Sequence, residues 1–414
     1  MPHTPRRVAI TGLGLVSPLG NSPETFFANL LAGKSGIGRI KADFVDQLDN
    51  KIAAQADFDP TEHFTKQQIA LMDRVSQFSV FTAKQALADA KLELTPEQLP
   101  RTGVYLGTGM GGASSIEEGY VRLYRDGANR LKPFTVLMAM NNAASSQVGL
   151  ELGLQGPNLT FCTACSSSTV AIGEAFRQIR HGYADIMLAG GSEALLTFGT
   201  LKAWEALRTL AQEDPADASA SCKPFSAKRS GLVLGEGAAM IVLEDMQHAQ
   251  ARGARIYGEV TGYGTANDSV HITQPTADGQ ATAMRAALAS AGLQPSDIGY
   301  INAHGTATVL NDATESTAIK KVFGESTKVP VSSTKSMHGH LMGAAGAVEF
   351  VACTLAVGSG SLPPTMHLNQ PDPACDLDYI PNAARHDVAL NHAMSNSFAF
   401  GGTGGVLIVS KMES

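Results

Sequence analysis

The chain has 414 residues, of which 44% are hydrophobic and 17% charged, with a net charge of −7. That length and apolar content supply a large core, in two domains or a duplicated one, and exclude a disordered chain. The acidic balance excludes a general electrostatic pull toward nucleic acid or an anionic membrane. Five scattered cysteines, an odd number, argue against a disulfide framework and for a reducing compartment such as the cytoplasm.

At the N-terminus basic residues precede an apolar stretch, as in a signal peptide. Gly12, Gly14, Pro18 and Gly20 break that run and no small-residue cleavage pattern follows. Val8-Ala9-Ile10 therefore predicts a short buried strand ending at a glycine-rich turn. Residues 23–32 and 68–92 carry helical patterns, and no apolar run reaches transmembrane length. Residues 103–112, GVYLGTGMGG, predict a strand entering a glycine-rich loop. With no clear helix directly after it and no acidic residue about 20 positions on, its GxGxxG-like spacing is poor support for a dinucleotide.

Residues 161–176, FCTACSSSTVAIGEAF, predict a strand, a tight turn at Cys165 and a helix. A thiol at such a helix start meets free backbone N–H groups and the positive end of the helix dipole, which lower its pKa and favour the nucleophilic thiolate. Taken alone, a buried cysteine is more often structural. Cys162 and Cys165 form a CxxC, but no second pair exists to complete a zinc site, and no metal is expected. Residues 185–191 and 235–243 predict two further buried strands.

The pattern then repeats. ADAKLELTPEQL with GVYLGTGMGG is matched by ASAGLQPSDI with GYINAHGTAT; the Cys165 turn is matched by GHLMGAAGAVEF; GEGAAMIVLEDM is matched by GGTGGVLIVSKM. Two similar α/β halves follow, at 1–250 and 251–414, with a site between them. The first carries Cys165. The second carries His304 in NAHGTAT, Lys335, His338 and His340 in SSTKSMHGHLMGAAG, and the loop SNSFAFGGTGG.

These blocks, with VAITGLGLVSPLG, TACSSS and AGGSEA, make the chain resemble the β-ketoacyl-acyl-carrier-protein synthases over nearly its whole length. The resemblance implies a thiolase-like, five-layer αβαβα fold. It also implies a homodimer or a heterodimer with a related subunit, and an acyl carrier protein as partner. The carrier delivers its own phosphopantetheine, so no resident cofactor is expected. His340 places the chain with the elongating Cys-His-His class, since the initiating class resembles Cys-His-Asn.

By the same resemblance Cys165 carries the acyl group, and His304 and His340 stabilise charge on a malonyl thioester as CO₂ leaves. Lys335, with Glu349 as its partner, organises the site. The N–H groups of Cys165 and Phe400 form an oxyanion hole, and Phe400 gates an acyl pocket that Met110 and Phe398 help to line. Thr306 and Thr308, with Thr273, hold the pantetheine arm. Lys66, Arg74, Arg125, Arg130, Lys132 and Arg208 are the expected carrier-docking residues. Several positions depart from the family pattern: Val309 replaces a common Pro, Ala399 a Gly, Gly404 an Asn, and His338 a Thr. Two rivals are a non-catalytic subunit that sets chain length and a degradative thiolase. The first typically lacks the nucleophile, and the second requires a C-terminal CxG that neither Cys353 nor Cys375 supplies.

Overall fold

The computed structural model describes residues 5–412. In chain order its strands are β1 (Val8–Val16), β2 (Ile37–Arg39), β3 (Ile52–Ala54), β4 (Thr102–Gly107), β5 (Asn158–Phe161) and β6 (Ile186–Glu193). They continue with β7 (Gly237–Asp245), β8 (Gly258–Asn267), β9 (Tyr300–Asn302), β10 (Val331–Ser332), β11 (His392–Phe398) and β12 (Thr403–Ser410). β2 and β3 form a small ribbon. The rest form one ten-stranded sheet in the order β10-β9-β11-β12-β8-β1-β7-β6-β4-β5.

The duplication is explicit in that order. Outward from the centre, the first half runs β1-β7-β6-β4-β5 and the second β8-β12-β11-β9-β10. Each begins with two antiparallel steps and ends with two parallel ones. β1 and β8 join the halves, antiparallel, through Val8–Ile10 and Gly258–Val260.

Helices Ser167–Arg180 and Ala345–Ser359 pack together between the two halves. Helix Arg74–Asp89 covers the outer face of the first half and helix Ala277–Ala291 that of the second. The result is the five-layer, thiolase-like α/β arrangement. Strands such as β6 and β7 are buried along their whole length, as a sheet covered on both faces requires.

Four local expectations change. β1 does not stop at its glycines but runs through Gly12 and Gly14, because the backbone of the covering helix at Ala86 and Thr82 lies where their Cβ atoms would be. The helix expected over 68–92 is two helices, Lys66–Leu71 and Arg74–Asp89, broken at Met72-Asp73. Asp73 caps the second, accepting from Val75 N at 3.1 Å and from Ser115 N at 2.7 Å, a role short acidic side chains favour over a helix interior. A helix, Ala113–Tyr120, does follow the glycine-rich loop, but the Gly109 and Met110 N–H groups are already taken by the Glu193 carboxylate. Finally, the 18-residue stretch Met342–Ser359 does have the length and apolarity of a membrane span, and 83% of it is buried within the fold.

Candidate active site

The Cys165 turn is built largely by its own hydroxyls. After β5, Ala164 adopts a left-handed φ of 50°, and Ala164–Ser166 form a single 3₁₀ turn leading into helix Ser167–Arg180. Ser167 Oγ accepts from Thr163 N at 2.9 Å and donates to Ala164 O at 2.6 Å; Ser166 Oγ donates to Thr163 O at 2.9 Å. The serine run is thus a brace for the turn. Thr169 Oγ1 and Ser397 Oγ, 2.7 Å apart, tie the same helix to β11.

His304 leaves β9 in a turn whose His304 and Gly305 N–H groups both donate to the buried Glu315 carboxylate at 2.8 Å. His340 is held by main-chain bonds to the 233–235 segment: its N–H donates to Val233 O at 2.7 Å and its carbonyl accepts from Gly235 N at 2.9 Å. The two imidazoles meet edge to face with centroids 5.3 Å apart. The Cys165 sulfur and one ring nitrogen of each histidine lie within 4.8 Å of one another, all three residues buried.

Neighbouring groups set the tautomers. Lys335, buried and ion-paired with the buried Glu349, approaches His304 Nδ1 at 3.4 Å. An ammonium only donates, so Nδ1 accepts and Nε2 carries the hydrogen. At His340, Nδ1 accepts from Met342 N at 3.1 Å, and the buried Nε2 has no partner among the described residues. Burial, then the charge of Lys335, holds both imidazoles well below the ordinary histidine pKa. Both are therefore neutral at pH 7, with an Nε2–H left for the site. A thiol and two imidazoles at this spacing also make a metal-ligand set. A ligating nitrogen needs its lone pair free, and here both Nε2 lone pairs are replaced by hydrogens, so the set is matched to an electron-rich oxygen.

The expected low-pKa thiol is not found. Burial pushes Cys165 up to about 12, while Lys335 and backbone N–H groups of Phe400 and Cys165 itself pull the other way. The helix start is real, but desolvation of the anion outweighs it. Those two N–H groups face the sulfur, beside the position an acyl oxygen on Cys165 would take.

A cavity of about 300 Å³ opens from Cys165, His304 and His340 past Thr306, Thr308 and Thr273 to the surface near Arg208. Thr306 and Thr308 hydroxyls are 2.9 Å apart. Phe398 and Phe400 line it, and Phe400 stacks on Trp204 at 6.2 Å between centroids. Met110 is not among the lining residues and is 44% exposed, because the loop carrying it is drawn toward Glu193 on another side of the site. Among the docking residues Arg74 is turned inward, paired with Glu236 at 2.8 Å and bonded to Phe58 O and Ala56 O. Lys66, Arg125, Arg130, Lys132 and Arg208 are exposed; Arg125 pairs with Asp126 and Lys132 with Glu118. His338 is a core residue bonded to Thr334 Oγ1 at 2.9 Å and Gly339 O at 2.8 Å.

Two carboxylates essential to this geometry, Glu193 and Glu315, were not singled out from the sequence. For Glu193 the signal was an acidic residue ending a strand that is buried throughout; Glu315 lies on a helix of mixed burial and left none.

Comparison with known proteins agrees with this arrangement. Residues 5–249 match the beta-ketoacyl synthase N-terminal domain and residues 257–369 the beta-ketoacyl synthase C-terminal domain. The chain belongs to the beta-ketoacyl synthase family. It is 42% identical to 3-oxoacyl-[acyl-carrier-protein] synthase 2 of Staphylococcus aureus (strain COL), over 99% of both chains. It is 45% identical to nodulation protein E of Rhizobium meliloti (strain 1021), over 97% of this chain and 98% of that one. Among solved structures, the ishigamide ketosynthase/chain length factor superposes with a TM-score of 0.92 at 34% identity, covering 99% of this chain and all of the other. The type II polyketide ketosynthase AntDE, solved with its acyl-carrier protein AntF and bound to the hexaketide, gives 0.90 at 34% identity and the same coverage. The family resemblance read from the sequence thus holds over nearly the full chain, in sequence and in fold.

Proposed function

We propose that this synthase elongates a carrier-bound acyl chain by decarboxylative Claisen condensation with malonyl carrier protein. The observation that carries the reading is the pair of neutral imidazoles, each with its Nε2–H kept for the site, beside a thiol at the base of a threonine-lined cavity. Cys165 Sγ attacks the acyl thioester carbonyl, and the pantetheine sulfur leaves with the thiol proton. The N–H groups of Cys165 and Phe400 hold the oxyanion. Malonyl thioester then enters, its C–CO₂⁻ bond breaks, and charge develops on the thioester oxygen facing His304 and His340. The resulting carbanion forms the new C–C bond at the acyl carbonyl, and Cys165 leaves as a thiolate that takes a proton from solvent to restore the thiol. Lys335 holds His304 as a donor. An acidic carrier would meet the exposed Arg208 at the cavity mouth, with Arg130 elsewhere on the surface.

The test is a pair of assays, CO₂ release from malonyl carrier protein and acyl loading of Cys165. Loss of one oxyanion donor costs roughly 10²–10³-fold. His304→Ala and His340→Ala should lose that much CO₂ release and keep most of the loading. If both variants release CO₂ at the parental rate but fail to load, the histidines activate the thiol and the mechanism is wrong.

The reading includes a dimer with a second copy or a related chain. β5 is an unpaired edge of the ten-stranded sheet, with Leu159 and, on neighbouring segments, Leu150, Val136 and Leu137 all more than half exposed. An open apolar edge of this kind needs cover. Sedimentation should give a dimer; a monomer at micromolar concentration would remove this part of the reading.

A further inference from the structure

One buried carboxylate touches both halves of the site and has no cation beside it. Glu193 ends β6, is fully buried, and forms none of the ion pairs found among the described residues. Its Oε2 accepts from Gly109 N at 2.7 Å and Gly343 N at 2.9 Å. Its Oε1 accepts from Met110 N at 3.1 Å and Thr108 Oγ1 at 3.3 Å. Burial raises the Glu193 pKa, but three N–H groups and a hydroxyl all donate to its two oxygens, which is the pattern of an ionised carboxylate.

Gly343 is the critical partner. It follows Met342, which is held at a left-handed φ of 46° and whose own N–H donates to His340 Nδ1. Left to itself a methionine avoids that conformation. Glu193 anchors the peptide on the far side of Met342, so it fixes the direction in which the near-side N–H points. The partner loop, Gly109-Met110, comes from the other half of the chain, so the same carboxylate also sets the distance between the halves at this point.

We propose that Glu193 is a positioning residue that keeps His340 in its donor tautomer and leaves a fixed negative charge near the nucleophile. The inference rests on the condensing reading above. The charged and titratable groups around Cys165 are Lys335, which favours its thiolate, Glu193, which opposes it, and the two neutral imidazoles.

Two opposite effects follow, and because a loosened fold would also expose Cys165 and quicken its alkylation, the charge-keeping variant Glu193→Asp separates the charge effect from damage. Glu193→Gln removes the charge and puts an NH₂ against N–H donors. Alkylation of Cys165 by iodoacetamide, which forms an S–C bond as iodide leaves, should quicken at pH 8 by roughly 3–10-fold, a shift of up to about one pKa unit. CO₂ release from malonyl carrier protein should fall about 10²-fold, the cost of a donor misplaced by about 1 Å. Glu193→Asp keeps the charge but is too short to reach both Gly109 and Gly343. Its alkylation rate should stay parental while CO₂ release falls. Melting temperatures of both variants identify an unfolded sample. CO₂ release unchanged in either variant, or Cys165 alkylation that slows in Glu193→Gln, overturns the assignment. A parental enzyme that releases no CO₂ would instead overturn the condensing reading, and the alkylation comparison would still test the charge of Glu193.

Discussion

The two halves place the same turn at the start of their central helices and use it differently. In the first, Ala164 at φ 50° opens a 3₁₀ turn and helix Ser167–Arg180 follows; in the second, Met342 at φ 46° opens the turn Met342–Ala344 and helix Ala345–Ser359 follows. In that alignment Cys165 corresponds to Gly343. One turn presents a thiol to the cavity. The other presents no side chain, because a Cβ at Gly343 would run into the backbone of Thr108 and Gly109. Its N–H instead goes to Glu193 at 2.9 Å, and the chemistry moves three residues back to His340. A duplicated fold thus supplies two equivalent helix starts. The close approach of the loop from the other half decides which can carry a nucleophile.

The sharpest way to break this comparison is to put a side chain back. Gly343→Ala should overpack the junction by roughly 1–3 kcal/mol and push the Met342–Gly343 peptide off Glu193. Both the melting temperature and CO₂ release should drop. A variant as stable and as active as the parent would show that the junction has room, and the reason given for the missing side chain would fail.

A smaller effect separates the second turn's two histidines. His338, which lies outside the cavity, is held by burial at a pKa of about 3. Below pH 6.5 the unfolded chain takes a proton that the folded chain refuses, so His338 makes stability fall as pH drops from 6.5 toward 3. The slope is about 1.4 kcal/mol per pH unit for one proton. His338→Gln should remove that share of the acid sensitivity in denaturant midpoints between pH 6 and 4, and leave CO₂ release at neutral pH close to parental. A lost CO₂ step with an unchanged acid slope would place His338 in the site after all.

Much of the site was legible because its residues sit where strands end at glycine turns. Cys165, His304, Lys335 and His340 each fall in a short block whose residue types are unusual for a plain core. The repeat was legible too, since buried strands and their following turns recur in the same order; the sheet then displayed that order as two matching sets of five.

Other features were beyond the sequence for identifiable reasons. The thiol of Cys165 was read from its helix start alone, and burial within the packed site reversed the expected shift. Arg74 looked like a surface charge until Glu236, 162 positions away, drew it inward. Met110 was placed in the pocket by the glycine loop it shares, and Glu193 pulls that loop elsewhere. What the sequence determined by itself was local: which segments are strands or helices, and which turns carry reactive side chains. Solvation, tautomer and partner depend on groups brought from distant parts of the chain, and only the tertiary structure decided them.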